Sequence, residues 1–313
     1  MRDMIRIHLF SVSLVAFVSA CAPKPTELQS QDNEDPEELH ANIVGGVRPP
    51  SVDPIAQSTV AVISHLSNGE TSLCSGSILE HDVVLTAAHC IHPLTETMEI
   101  IFERVNINEP GAKSRQVKDI EVPDLWKESE TRKKAQGYGD LALLYFDGGI
   151  PSNYRPVEIL FEREVKNSAT AFIAGFGFTD GVSKTTTNEL RMTYVGVQNA
   201  NYTRTEVKVD QRAGRGACHG DSGGPAYIYH KGKYMFWGVT SRGIDDTNDH
   251  CDNFAAYTNV QNYTSWISAA KDEMRTRRLR QNPIGNQAGN TNPGDEQSLL
   301  YLSAKIASHS FLH

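Results

Sequence analysis

The chain has 313 residues, 39% of them hydrophobic and 22% charged, with a formal net charge of −8. It is long and apolar enough for one large or two small cores, its acidity argues against a nucleic-acid binder, which would carry a basic face, and no apolar run reaches the roughly 18–20 residues of a spanning helix. Five cysteines are too few for a disulfide-dense miniprotein, and their spacing matches no zinc site.

The N-terminus carries Arg2 and Arg6, then an apolar stretch Leu9–Ala20 broken only by Ser11, Ser13 and Ser19. A basic start, a short apolar centre and a small-residue exit predict a secretory signal over residues 1–21. Its exit has two readings. Val18-Ser19-Ala20-Cys21 resembles the bacterial lipobox, in which Cys21 is acylated; Val-Ser-Ala also fits plain cleavage after Ala20. Lipidation is preferred because the other four cysteines form an even set without Cys21, and an acyl chain would tether the protein to a membrane surface. Residues 22–42 set Glu27, Asp32, Glu34, Asp35, Glu37 and Glu38 against Lys24 alone, and predict an acidic, solvated propeptide or tether.

From Ile43 to about Tyr263 the pattern is one of strands. Thr59–Ile63, Val83–Leu85, Leu141–Phe146, Ala171–Ala174 and Tyr234–Thr240 are β-rich runs separated by turn residues, and helical periodicity is nearly absent. Many short strands with Gly-rich turns predict a barrel or sandwich. Val260–Arg280 then has helical spacing with a basic last turn (Arg275, Arg277, Arg278, Arg280), which suits a helix C-terminus. Residues 281–313 read as an Asn/Gly/Pro-rich linker and a tail, where Leu299, Leu302 and Ile306 line one face of a short, loosely docked helix.

Four segments carry the chemistry: Ile43-Val44-Gly45-Gly46, Thr86-Ala87-Ala88-His89-Cys90, Gly139-Asp140-Leu141-Ala142-Leu143-Leu144 and Gly220-Asp221-Ser222-Gly223-Gly224-Pro225. In this order they resemble the signatures of the trypsin/chymotrypsin-like serine proteases, over roughly Ile43–Lys271. The resemblance implies an all-β fold of two six-stranded antiparallel Greek-key barrels with a C-terminal helix, a protease domain over residues 43–280, and peptide hydrolysis without cofactor or metal. It implies a first barrel over roughly Ile43–Pro151 with His89 and Asp140, and a second holding Ser222.

The residue types suit that chemistry. A serine hydroxyl is a poor nucleophile without an adjacent base; His89 can take its proton and return it to the leaving amine. Asp140, between a polar turn and an apolar strand, can be half-buried and orient the imidazole. Gly220 and Gly223 tolerate a tight turn around Ser222, from which the Gly220 and Ser222 amides can converge on an oxyanion. Outside such motifs, His40, His81, His92 and His230 read as structural or solvated, and His219 as a rim contact.

Four cysteines permit three connectivities. The resemblance implies Cys74–Cys90 and Cys218–Cys251, which require an oxidising compartment, and it lacks further bridges to restrain the loop Asn199–Gly216. It also implies that Ile43 becomes a new N-terminus on cleavage and that its ammonium pairs with Asp221. The preceding residue is Asn42, so a trypsin would not make the cut, and cleavage there would release the domain from any lipid on Cys21. Gly216 resembles the position where trypsins hold an aspartate; Ser241, Arg242 and Gly243 resemble the strand that pairs with substrate backbone, with Arg242 in an aromatic's usual place; Ala255 resembles a back-wall position. Asp245, Asp246 and Asp249 read as a solvated loop. Cleavage after apolar residues rather than Arg or Lys is therefore expected. The expected partners are a peptide or protein substrate and an activating protease, for a monomeric, extracytoplasmic protein. The alternatives are a protease-fold surface lipoprotein that only binds, and a hydrolase of esters rather than peptides.

Overall fold

In a computed structural model of the chain, residues 43–127, 139–161 and 164–281 are described. The predicted signal, the acidic tether, Cys21 and the tail beyond Gln281 lie outside them. Asp53 begins the first regular element. Its Oδ1 accepts the Ile55 amide at 2.8 Å, and Pro54 occupies the first helical position, where no amide donor is needed. The short helix Pro54–Ser58 ends where the β-branched run of β1 takes over.

The first six strands are β1 (Thr59–Leu66), β2 (Thr71–Glu80), β3 (Val83–Thr86), β4 (Thr95–Phe102), β5 (Lys113–Glu121) and β6 (Ala142–Phe146). They close into an antiparallel barrel in the order β1-β2-β3-β6-β5-β4. The second six are β7 (Thr170–Gly175), β8 (Arg191–Asn199), β9 (Glu206–Asp210), β10 (Pro225–His230), β11 (Lys233–Ile244) and β12 (Phe254–Asn259). They close in the order β10-β11-β12-β9-β8-β7. Closure removes the exposed strand edges that an open sheet would carry. This is the expected fold of two six-stranded barrels.

Strands β3 and β6 are buried along their whole length, which is why their sequences are continuous apolar runs. By contrast β5 is half-exposed and β8 alternates, with Tyr194 outward and Val195 inward. The loop expected over Asn199–Gly216 in fact contains β9, whose register against β12 and β8 orders it without any disulfide. One core runs through the first barrel and across to Phe176, Tyr227, Phe236 and Val239 of the second. Another fills the second barrel around Trp237 and Tyr257, and includes Ile43. The barrels are also joined by a 2.8 Å hydrogen bond between Ser58 Oγ and Tyr227 Oη.

The C-terminal helix, Thr264–Gln281, buries Ile267, Ala270 and Met274 along one face. Its basic residues do more than complement the helix terminus, because they reach acids on the first barrel. Lys271 meets Glu80 at 2.6 Å, Arg277 spans Asp119 at 3.0 Å and Glu121 at 2.8 Å, and Arg278 meets Asp82 at 2.9 Å. Arg278 also lies 3.7 Å from the centre of the Tyr145 ring. The helix follows the second barrel in sequence and clips onto the first in space. Arg278→Ala is expected to cost about 1 kcal/mol from the lost ion pair and ring contact, a fall of roughly 2–4 °C in Tm that shrinks at high salt.

Candidate active site

His89 sits in the 3₁₀ turn Ala88–Cys90, where the chain leaves β3. The Cys74–Cys90 disulfide ties that turn to β2, with Cα atoms 6.2 Å apart. Asp140 immediately precedes the fully buried run that opens β6, so the apolar strand carries the carboxylate inward and leaves it 4% exposed. Its Oδ2 lies 2.7 Å from His89 Nδ1, and its Oδ1 accepts the His89 amide at 3.0 Å. A third donor arrives from the second barrel: Ser241 Oγ donates to Oδ2 at 2.6 Å.

The electrostatics follow from these contacts. Burial raises the Asp140 pKa, but the attraction and hydrogen bonds of His89, with Ser241 behind them, hold it below the usual carboxylate value. Burial likewise presses the His89 imidazole down, yet Asp140 outweighs it and leaves the pKa raised. The carboxylate therefore stays charged while the imidazole gains basicity.

Ser222 lies in a turn braced from both barrels. Gly220 and Gly223 take φ values of +95° and +81°, the left-handed region that glycine enters without penalty. Gly223 N donates to Thr240 O at 2.8 Å, and Ser75 N in β2 donates to Ser222 O at 2.8 Å. Ser75 Oγ donates to Gly220 O at 2.9 Å and accepts the Phe176 amide at 3.0 Å. Ser222, His89 and Asp140 line one cleft of about 480 Å³ between the barrels. Of the four residues expected to bind substrate, Ser241, Gly243 and Ala255 line it and Gly216 does not, with Gly243 paired to Ala255 between β11 and β12.

The comparisons with known proteins agree with the two-barrel fold. The trypsin family profile matches residues 50–267. The chain belongs to the trypsin family. Chymotrypsin-like elastase family member 1 of Canis lupus familiaris is 26% identical over 258 residues, covering 77% of this chain and 96% of the relative. A chymotrypsin of Phaedon cochleariae is 27% identical over 286 residues, covering 84% of this chain and 95% of its own length. Among solved structures, the protein titled HL collagenase superposes with a TM-score of 0.59 at 20% identity, covering 74% of this chain and 99% of that one, and supports the fold.

Within this trypsin-family framework both implied disulfides are formed, Cys74–Cys90 and Cys218–Cys251. Asp221 is fully buried, and its two oxygens accept the backbone amides of Gly177 and Cys218, each at 2.8 Å. Burial pushes its pKa up to about 7 despite those two bonds. Ile43 is also fully buried, at a φ of +48° that strains a β-branched residue. The following residue pairs with Gly216, whose N donates to Val44 O at 2.9 Å.

Several contributors carry no recognisable motif. Arg242 is held by Glu206, itself 2% exposed, with Nη2 to Oε2 at 3.0 Å. Its guanidinium is thus half of an ion pair at the edge of the cleft. The acidic loop is exposed at Asp245 and Asp249, as expected of a solvated loop, and its carboxylates also bind neighbouring groups. Asp249 pairs with His219 at 2.7 Å and Lys184 at 2.9 Å, while Asp246 accepts the amides of His250 at 3.1 Å and Cys251 at 2.8 Å. These carboxylates shape the loop around the cleft because each has a donor within reach. Trp126 lines the cleft from the first barrel.

Proposed function

We propose that this trypsin-family protein is a serine endopeptidase that cleaves peptide bonds through an acyl-enzyme. The observation that carries the reading is the 2.7 Å contact between His89 Nδ1 and the buried, anionic Asp140, in the cleft that Ser222 also lines. Asp140 fixes the imidazole with its proton on Nδ1, so Nε2 is the basic nitrogen that can accept the Ser222 proton. Ser222 Oγ attacks the scissile carbonyl, His89 passes the proton to the leaving amine, and water reverses the sequence to release the acid. The Gly220 and Ser222 amides receive the oxyanion, in a turn already braced before reaction, so little reorganisation opposes it.

The zymogen reading extends this proposal. Asp221 is buried with only amide donors and at raised pKa, which is the situation a buried ammonium would relieve. Cleavage after Asn42 supplies that ammonium at Ile43 and releases the strained φ. The disulfides fit an oxidising, extracytoplasmic compartment, with the signal delivering the chain there.

The test uses a fluorophosphonate probe on the chain before and after cleavage at Asn42, with N-terminal sequencing of the active species. Labelling that appears on cleavage and vanishes in Ser222→Ala is expected. A correctly cut chain that takes no label would leave a binding module. Matched amide and ester substrates separate a peptidase from an esterase by kcat/KM.

A further inference from the structure

One buried polar side chain of the cleft takes no part in the triad. Gln211, the residue after β9, is 1% exposed and lines the cavity beside Ala217, Ala255 and the Cys218–Cys251 disulfide. Its Nε2 donates to the carbonyls of Ala217 at 3.1 Å and Cys251 at 3.2 Å, and its Oε1 accepts the Ala217 amide at 2.8 Å. Both of its donors and one acceptor position are thereby used. The side chain bridges two walls of the pocket and offers a substrate bulk rather than hydrogen bonds.

Gly216 gives the second observation. A Cβ at that position would come within 2.3 Å of Gln211 Cδ and 2.5 Å of Cγ. Gln211 therefore fills the space that a side chain at position 216 would need. We propose that Gln211, reaching in from the end of β9, forms the floor of the substrate side-chain pocket in place of residue 216, and that its length sets the pocket's depth. This rests on the peptidase reading and narrows its substrate class to uncharged side chains of limited length. A Lys or Arg side chain would bury its charge against a neutral amide already saturated by backbone partners, which is unfavourable. Asp246 and Asp249 also line the cleft, and a wild type that prefers Lys would assign charge recognition to them and take the floor from Gln211.

The test measures kcat/KM of the cut enzyme on peptide amides that differ only in the residue before the scissile bond: Ala, Val, Leu, Phe and Lys. Gln211→Ala and Gln211→Asn shorten the floor, whereas Gln211→Met keeps its length without its hydrogen bonds. Shortening is expected to raise the Phe-over-Ala ratio about tenfold or more, the scale of one or two methylenes in an apolar pocket, while Gln211→Met leaves it within about threefold. An unchanged ratio in the shortened variants, an equal shift in Gln211→Met, or a wild type that prefers Lys overturns the proposal.

A thermal measurement stands apart from activity. Gly216→Ala should lower Tm through collision with Gln211, and Gln211→Ala in the same chain should recover part of that loss. Strictly additive effects overturn the shared-space argument, even where the shortened variants are too unstable for kinetics. A wild type that neither cleaves peptides nor takes a fluorophosphonate label sinks the peptidase reading instead, and leaves the thermal result to judge Gln211.

Discussion

Asp140→Asn is expected to lower kcat by about four orders of magnitude with the fold intact, the loss established for the same exchange in the serine-protease template. Asparagine matches the aspartate's shape: its oxygen in place of Oδ1 still accepts the His89 amide at 3.0 Å, while the Ser241 hydroxyl, which shares Oδ2 with the imidazole, turns from donor to acceptor. What changes is the partner of His89 Nδ1. An amide NH₂ facing it donates instead of accepting, drives the ring proton to Nε2, and leaves Ser222 facing a nitrogen that cannot take its proton. The pH profile adds a second readout. Asp140 holds the His89 pKa above its ordinary 6.5 against the opposing effect of burial, and the proposed mechanism requires the neutral ring. The acidic limb of kcat/KM should therefore lie above that value in the wild type and move to lower pH in the variant. Steady-state kinetics with circular dichroism as the fold control checks both. A variant within tenfold of wild type would remove Asp140 from the mechanism.

The next largest effect concerns Asp221. In the uncut chain its pKa is pushed up to about 7 from an ordinary 3.8. Between those values the folded state holds a proton that the unfolded state has released, so stability falls as pH rises through that window. Urea unfolding of the uncut chain should show a decline of a few kcal/mol from about pH 4 to about pH 7, and Asp221→Asn should be flat over the same range. Cutting at Asn42 should reverse the trend, because an ammonium at Ile43 favours the charged carboxylate. In the cut chain, Asp221→Asn leaves that ammonium without its partner, and activity should drop by roughly 10²–10³-fold, the kinetic equivalent of breaking a buried pair. Full activity in the cut Asp221→Asn protein would separate activation from this carboxylate. A flat stability profile in the uncut wild type would show that Asp221 is not held neutral.

The parts of the molecule legible in the sequence share one property: their chemistry is local. The turn around Ser222 is written in neighbouring glycines, and β3 and β6 are visible because burial on every side makes them continuous apolar runs. The C-terminal helix is visible because one chain segment sets its period. Strands β5 and β8 were harder to see, since each has an exposed face where polar residues are free to vary. The acidic partners of the helix arginines were equally hidden, for they sit on β2, β5 and the β2–β3 turn of the other barrel.

The amino-acid sequence by itself determined the family, and the residue types and chain order of the proposed triad. Only the folded barrels decided which distant groups share a volume. Ser241 reaches Asp140 across 101 positions, and Glu206 meets Arg242 across 36. Gln211 takes the space beside Gly216 because β9 ends against the pocket wall. Sequence spacing records steps along a chain, whereas these contacts depend on barrel closure and strand register, which bring distant segments to within a hydrogen bond of each other.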